Sequence, residues 1–221
     1  MLHLNETSTQ LLPLPDGQME VFVDVPSSAA RQGVAIITHP QPLLGGSAKH
    51  KLPQFIAHSL RDAGWVTVRP NFRGVGQSSG SYDEGRAEAL DLRALHAQVQ
   101  ACANGLPLAL IGVSFGAFVQ AQLAAYLQAH ATPADHVVLA AMPFGTVTVG
   151  RQYDTPDGIH QPLVIHGECD ESVPLANIFD WARPRAHPVV VVPGSDHLFA
   201  GKLPILRALI LHHLQHPQSV A

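Results

Sequence analysis

The sequence predicts an α/β fold. It consists of a mostly parallel central sheet with helices on both faces, an amino-terminal antiparallel hairpin and no large lid. Three observations carry the layered part of that prediction. From Gly33 onward, short apolar runs alternate with longer segments of helical period. The apolar runs have the length of strands buried on both faces, which belong to parallel sheets. With 221 residues, 46 % hydrophobic and 14 % charged, the chain can bury one sizeable core, and a single domain over 1–221 is expected.

In chain order, residues 10–14 and 19–25 read as short strands around the turn Pro15-Asp16-Gly17, hence a hairpin. Residues 34–37 and 65–68 are the first two fully apolar strands. Between them, Leu52, Phe55, Ile56, Ser59, Leu60 and Ala63 follow i, i+3, i+4 spacing, so 52–63 is a helix that Gly64 ends. Helical segments over 86–101, 115–128, 176–181 and 202–214 then alternate with strands over 108–113, 137–141, 163–165 and 189–192. Residues 142–161 carry Gly145, Gly150, Pro156 and Gly158 and no helical stripe, so an irregular loop and an open pocket are expected there.

Composition narrows the function. A formal net charge of −4 without a Lys/Arg cluster disfavours nucleic acid and anionic membrane surfaces as partners. No apolar run is long enough to span a bilayer. Met1 to Thr7 lacks the basic and apolar segments of a signal peptide, and Cys102 and Cys169 form no disulfide scaffold, so a cytoplasmic setting is expected. Fourteen histidines raise the question of metal chemistry. However, there is no H-E-x-x-H, and His166-Gly167-Glu168 lacks the P-C-x-x-C that would complete a deaminase site, so no metal or other cofactor is expected. Gly74, Gly76 and Gly80 do not have dinucleotide-fingerprint spacing.

Ligands of open α/β sheets bind at the carboxyl ends of the strands. There the run 108–113 leads into Gly112-Val113-Ser114-Phe115-Gly116, a G-x-S-x-G motif between strand and apolar helix. Such spacing puts a serine on a sharp turn that clears the sheet, with glycines allowing the backbones to close on one another. A second match, Gly76-Gln77-Ser78-Ser79-Gly80, lies in a loop with no apolar helix after it, so Ser114 is the candidate nucleophile.

A serine hydroxyl needs an imidazole to take its proton and a carboxylate to orient that imidazole. Asp170 follows the strand 163–165 and His197 follows the strand 189–192, giving the order Ser114, Asp170, His197. Glu168 and Glu171 flank the acid; Val173-Pro174 closes the turn that holds Asp170 inward. A histidine base implies a rate rising with pH through about 6–7. An oxyanion needs backbone donors: Phe115 supplies one, and the loop after residues 34–37 the other. Pro40 and Pro42 have no N–H, so Gln41 leads, with Leu43 as fallback. His39 is expected to bond loop backbone or touch substrate; His39, Leu43 and Phe144 are candidate pocket residues, with Val147, Val149 and Tyr153 beside them lining the pocket or anchoring the loop.

Several motifs in combination resemble the small bacterial serine hydrolases of the α/β-hydrolase superfamily, near dienelactone hydrolases and short-chain carboxylesterases. They are His39-Pro40-Gln41-Pro42-Leu43 with Gly45-Gly46, Asn71-Phe72-Arg73-Gly74-Val75-Gly76-Gln77-Ser78, and Tyr82-Asp83-Glu84-Gly85. The others are Gly112 to Gly116, His166-Gly167 with Asp170, and Gly194 to His197. The likeness covers residues 33–201 and implies the same triad and oxyanion loop. Gln41 stands where histidine is frequent, and Ala117 where glycine is common. Ser114 stands where dienelactone hydrolases carry cysteine, so that activity is not implied. Arg73 is expected to tie its loop to Asp83 or Glu84. The expected function is hydrolysis of small short- or medium-chain carboxylic esters through an acyl-enzyme. An amidase or peptidase, or a hydrolase fold that only binds a ligand, are the alternatives.

Overall fold

The computed structural model describes residues 1–148 and 150–215. Its strands are β1 (Ser8–Leu14), β2 (Gly17–Asp24), β3 (Gly33–Thr38), β4 (Trp65–Pro70), β5 (Leu108–Val113) and β6 (His136–Ala140). A short pair, β7 (Gly145–Thr146) and β8 (Gln152–Tyr153), precedes β9 (Leu163–Gly167) and β10 (Val189–Val192). The helices are α1 (Lys51–Asp62), α2 (Arg86–Ala103), α3 (Phe115–Ala129), α4 (Leu175–Ala182) and α5 (Leu203–Gln215).

Eight strands form one sheet in the order β1-β2-β4-β3-β5-β6-β9-β10. The hairpin joins antiparallel, β1 on β2 and β2 on β4, and every pair from β4 to β10 is parallel. Because successive side chains on a strand face opposite ways, each apolar strand feeds two cores. Val34, Ile36, Leu108, Leu110, Val137 and Leu139 pack with α2, α3 and α4. Ala35, Ile37, Ala109, Ile111, Val138 and Ala140 pack with α1 and α5.

Helix α1 buries the stripe Leu52, Ile56 and Leu60, and Gly64 at φ +94° follows its end. Helix α3 is buried nearly all round, because α2 covers the side that the sheet does not. All six strands and five helices expected after Gly33 are present, with ends moved by at most two residues. The 142–161 segment is not wholly irregular: Gly145 pairs with Tyr153 and Thr146 with Gln152. Among the described residues no helix is long and apolar enough to cross a membrane.

Candidate active site

The site assembles where β5, β9 and β10 end. At the end of β5 the chain turns into α3 through Ser114, held at φ +54° and ψ −124°. A non-glycine residue there is strained, so the surroundings must enforce it. The two glycines explain how. A Cβ on Gly112 would lie 2.3 Å from the Ala117 Cα, and one on Gly116 2.5 Å from the His39 carbonyl oxygen. The turn is therefore pressed against both its own helix and the loop after β3. Ser114 N–H donates to Ala140 O at 2.9 Å, and Thr38 Oγ1 donates to Gly116 O at 2.9 Å, fixing the turn from both sides.

Ser114 Oγ lies 2.8 Å from His197 Nε2, and His197 Nδ1 lies 2.7 Å from Asp170 Oδ2. The base loop is shaped by Asp196, whose Oδ1 accepts the Leu198 and Ala200 N–H groups. The acid loop is shaped by Asp170 itself: Oδ1 accepts from Ser172 N–H at 2.9 Å and Val173 N–H at 2.8 Å. Burial pushes the Asp170 carboxyl up, but the His197 hydrogen bond and charge and the Val173 N–H outweigh it, leaving it below the usual carboxylate range. Of the flanking acids, Glu168 accepts from Gly194 N–H and Glu171 lines the cavity, so neither orients His197. A neutral imidazole in this position can take a proton from Ser114 Oγ while the carboxylate holds it in one tautomer.

The loop after β3 is anchored at both ends. Its far end is held by Asn71, whose Oδ1 accepts from Ala48 N–H and whose Nδ2 donates to Glu20 Oε2. Its near end is held by His39, which donates from Nδ1 to Pro40 O at 2.7 Å and accepts the Phe72 N–H at Nε2 at 3.0 Å. Between them Gln41 Oε1 accepts from Leu43 N–H, and its Nε2 donates to the hydroxyls of Tyr82 at 3.3 Å and Tyr153 at 3.2 Å. Neither the Gln41 nor the Phe115 N–H donates to a backbone acceptor among the described residues, and both are free to meet an oxyanion.

A cavity of about 330 Å³ opens onto Ser114 and His197, walled by Gln41, Leu44, Val147, Tyr153 and Val173, with Arg151 and Glu171 also on its wall. A larger one, about 780 Å³, lies around the starts of β9 and β10, at the opposite end of the strands from Ser114. Three pocket expectations need correcting. His39 has no exposed surface and both ring nitrogens engaged, so it serves the loop and does not face the cavity. Leu43 does not line the cavity: both leucines of the 3-10 turn over Pro42–Leu44 are exposed, and Leu44 is the one on the cavity wall. Phe144 packs against the core beneath α4, with its carbonyl accepting from Asn177 Nδ2. Val147 and Tyr153 do line the cavity, and Val149 lies outside the described residues.

Ser78 is structural: its hydroxyl donates to Asn71 O at 2.8 Å and accepts from Glu20 N–H at 2.9 Å. Arg73 pairs with Asp91 on α2 through Nε at 2.6 Å and Nη2 at 2.9 Å, not with Asp83 or Glu84. Asp83 instead holds Arg86 and caps α2 at Ala87 N–H. Sequence reasoning did not single out Leu44, Arg151 or Glu171 as cavity residues, nor the Gln41–Tyr82–Tyr153 contacts. Nothing periodic marks residues in such loops.

Residues 43–149 match the family described as alpha/beta hydrolase fold. A solved structure from Xanthomonas campestris, described as an a/b serine hydrolase without lid, is 34 % identical. It covers 97 % of this chain and 96 % of its own, with a TM-score of 0.83. An alpha-beta serine hydrolase homologue from Coxiella burnetii is 32 % identical, covers 96 % and 99 % of the two chains and has a TM-score of 0.78. An uncharacterized protein of Rickettsia prowazekii is 27 % identical over 199 residues, 85 % of this chain and 80 % of that one. Identity above 30 % over nearly the full length of both chains leaves one conclusion: this protein belongs to the α/β-hydrolase superfamily, among its serine hydrolases.

Proposed function

We propose that this protein is a carboxylesterase that cleaves esters of short or medium acyl chains through an acyl-enzyme on Ser114. The observation that carries the reading is the continuous hydrogen-bonded chain from Ser114 Oγ through His197 to Asp170. Ser114 Oγ attacks the ester carbonyl as its proton passes to His197 Nε2. The N–H groups of Phe115 and Gln41 receive the negative charge on the carbonyl oxygen, and Asp170 stabilises the imidazolium. His197 then gives its proton to the departing alkoxide, leaving the acyl group on Ser114. Water, activated by the same imidazole, releases the acid and restores the serine. No step calls for a cofactor. A small-molecule ester is the partner this chemistry requires, and a cytoplasmic setting fits it.

The cavity of about 330 Å³ supports a small acyl group, being near the lower end of ligand-pocket sizes. Amide bonds can be cleaved by the same groups, so ester and anilide of one acyl chain are the substrates to compare. The direct test is labelling with a fluorophosphonate followed by peptide mapping. One adduct on Ser114, absent in Ser114→Ala, together with turnover of a p-nitrophenyl ester, is the expected result. An adduct on Ser78, or none on folded protein, overturns the reading.

A further inference from the structure

His166 is the penultimate residue of β9, four before Asp170; it is fully buried and plays no part in the reaction described. Its Nε2 lies 3.0 Å from Val173 O and 3.3 Å from Asp170 Oδ2, the same oxygen that holds His197. The hydrogen bond to Val173 O requires that Nε2 carry the proton, and that N–H dipole lies close beside Asp170 Oδ2. Nδ1 is buried without a hydrogen-bond partner among the described residues, so protonating it would strand a buried N–H. Burial likewise lowers the basicity of this ring, which stays neutral while His197 cycles.

Val173 is the hinge of the arrangement. Its carbonyl accepts a hydrogen bond from His166 Nε2–H, and its N–H donates to Asp170 Oδ1. One imidazole thus braces the turn that presents the carboxylate and sets an N–H dipole against the oxygen facing His197. We propose that His166 is a positioning residue of the Ser114–His197–Asp170 arrangement, locking the Asp170–Val173 turn and limiting how strongly Asp170 attracts the proton carried by His197. This rests on the hydrolase reading above for its consequence in catalysis, but not for its geometry.

Neighbouring charges do not take over that role. From the same loop, the Glu168 carboxylate is turned to Gly194 N–H and Glu171 lies on the cavity wall. From the loop after β10, Asp196 is committed to the Leu198 and Ala200 N–H groups. Arg151 stands on the cavity wall, and the side chains that face the Asp170 carboxylate are His197 and the neutral His166.

Removing this N–H dipole from beside Oδ2 leaves His197 as the main positive partner of that oxygen, so the Asp170–His197 pair holds its proton to higher pH. The experiment compares His166→Met, which removes the donor, with His166→Gln, which keeps an N–H at similar reach. The pair's titration is followed by NMR through the His197 ring protons, and the pH dependence of fluorophosphonate labelling of Ser114 is measured in parallel. The expected result is an upward move of the midpoint by about half to one pH unit in His166→Met. In His166→Gln the midpoint stays near wild type, and KM for a p-nitrophenyl ester is unchanged within about twofold in both.

An unmoved midpoint in His166→Met, or equal moves in both variants, overturns the proposal. Should His166→Met fail to fold, nitrogen NMR of the wild-type protein decides. A neutral His166 with its proton on Nε2 between about pH 5 and 8 supports the proposal, and an Nδ1–H tautomer or a charge on that ring refutes it. Absence of labelling at Ser114 would end the hydrolase reading, while the NMR arms would still judge His166.

Discussion

His39 couples protonation to the loop that carries Gln41, and the size of that coupling follows from its surroundings. The ring accepts the Phe72 N–H at Nε2 and donates from Nδ1 to Pro40 O, so a second proton would set one donor against another. Burial lowers its pKa from an ordinary 6.5 to about 4; the Pro40 carbonyl opposes the shift and the nearby His50 adds to it. In the unfolded chain His39 gains a proton near pH 6.5, while in the fold it stays neutral until about 4. Its contribution to stability is therefore fully present above pH 6.5 and is lost as pH falls through the folded value. At about 1.4 kcal/mol per pH unit, the whole contribution is about 3 kcal/mol.

His39→Gln removes the titrating group. Urea unfolding of both proteins at several values from about pH 7.5 to about pH 4.5 gives stability without needing a substrate. The wild-type protein should lose about 2–3 kcal/mol more than the variant over that range. His213, lowered to about 4 chiefly by burial, titrates in both proteins and cancels in the difference. Parallel curves for the two proteins would refute the reasoning, because the buried imidazole would then take its proton as readily folded as unfolded.

Two further substitutions probe how the site is held. Gly116→Ala drives a methyl group into the His39 carbonyl, which should cost about 1–3 kcal/mol in a urea titration and slow labelling of Ser114. Wild-type stability with wild-type labelling would mean that the elbow is not pressed against that loop. Arg73→Met leaves the Asp91 carboxylate, 5 % exposed, without its cation, and should destabilise by about 2–4 kcal/mol. Arg73→Met with Asp91→Leu should recover most of that loss, and a double-mutant cycle without coupling would show the pair to be inert.

Much of this molecule can be read from its residues because its periodicities are strong. The apolar runs 34–37 and 108–113 have no polar side to show, and a strand of that kind fits only between two helical layers. The Ser114 elbow was legible because Gly112 and Gly116 are set by steric contact, which allows few other residue types. Asp170 and His197 were legible because each follows a strand whose carboxyl end must reach the same edge. Elimination singled out Gln41, since both neighbouring prolines lack an N–H.

Directions of side chains within loops were not legible. Leu43 and Leu44 are indistinguishable in sequence, and of these two exposed leucines in one 3-10 turn Leu44 is the one on the cavity wall. Phe144 is half-buried against the core and off the cavity wall, at a segment whose backbone Asn177 holds from 33 residues later. Arg73 meets Asp91 and not the nearer Asp83, because Asp83 is already engaged at the start of α2. The same holds for His166, whose place beside Asp170 depends on a turn closed by Val173.

By itself, the sequence determined the layers, the order of the strands' chemistry and the residue types able to react, because these follow from local period and sterics. Only the tertiary structure decided which histidine faces a proton path and which braces a loop. Ring nitrogens choose between donor and acceptor according to neighbours that the chain brings together across tens of residues.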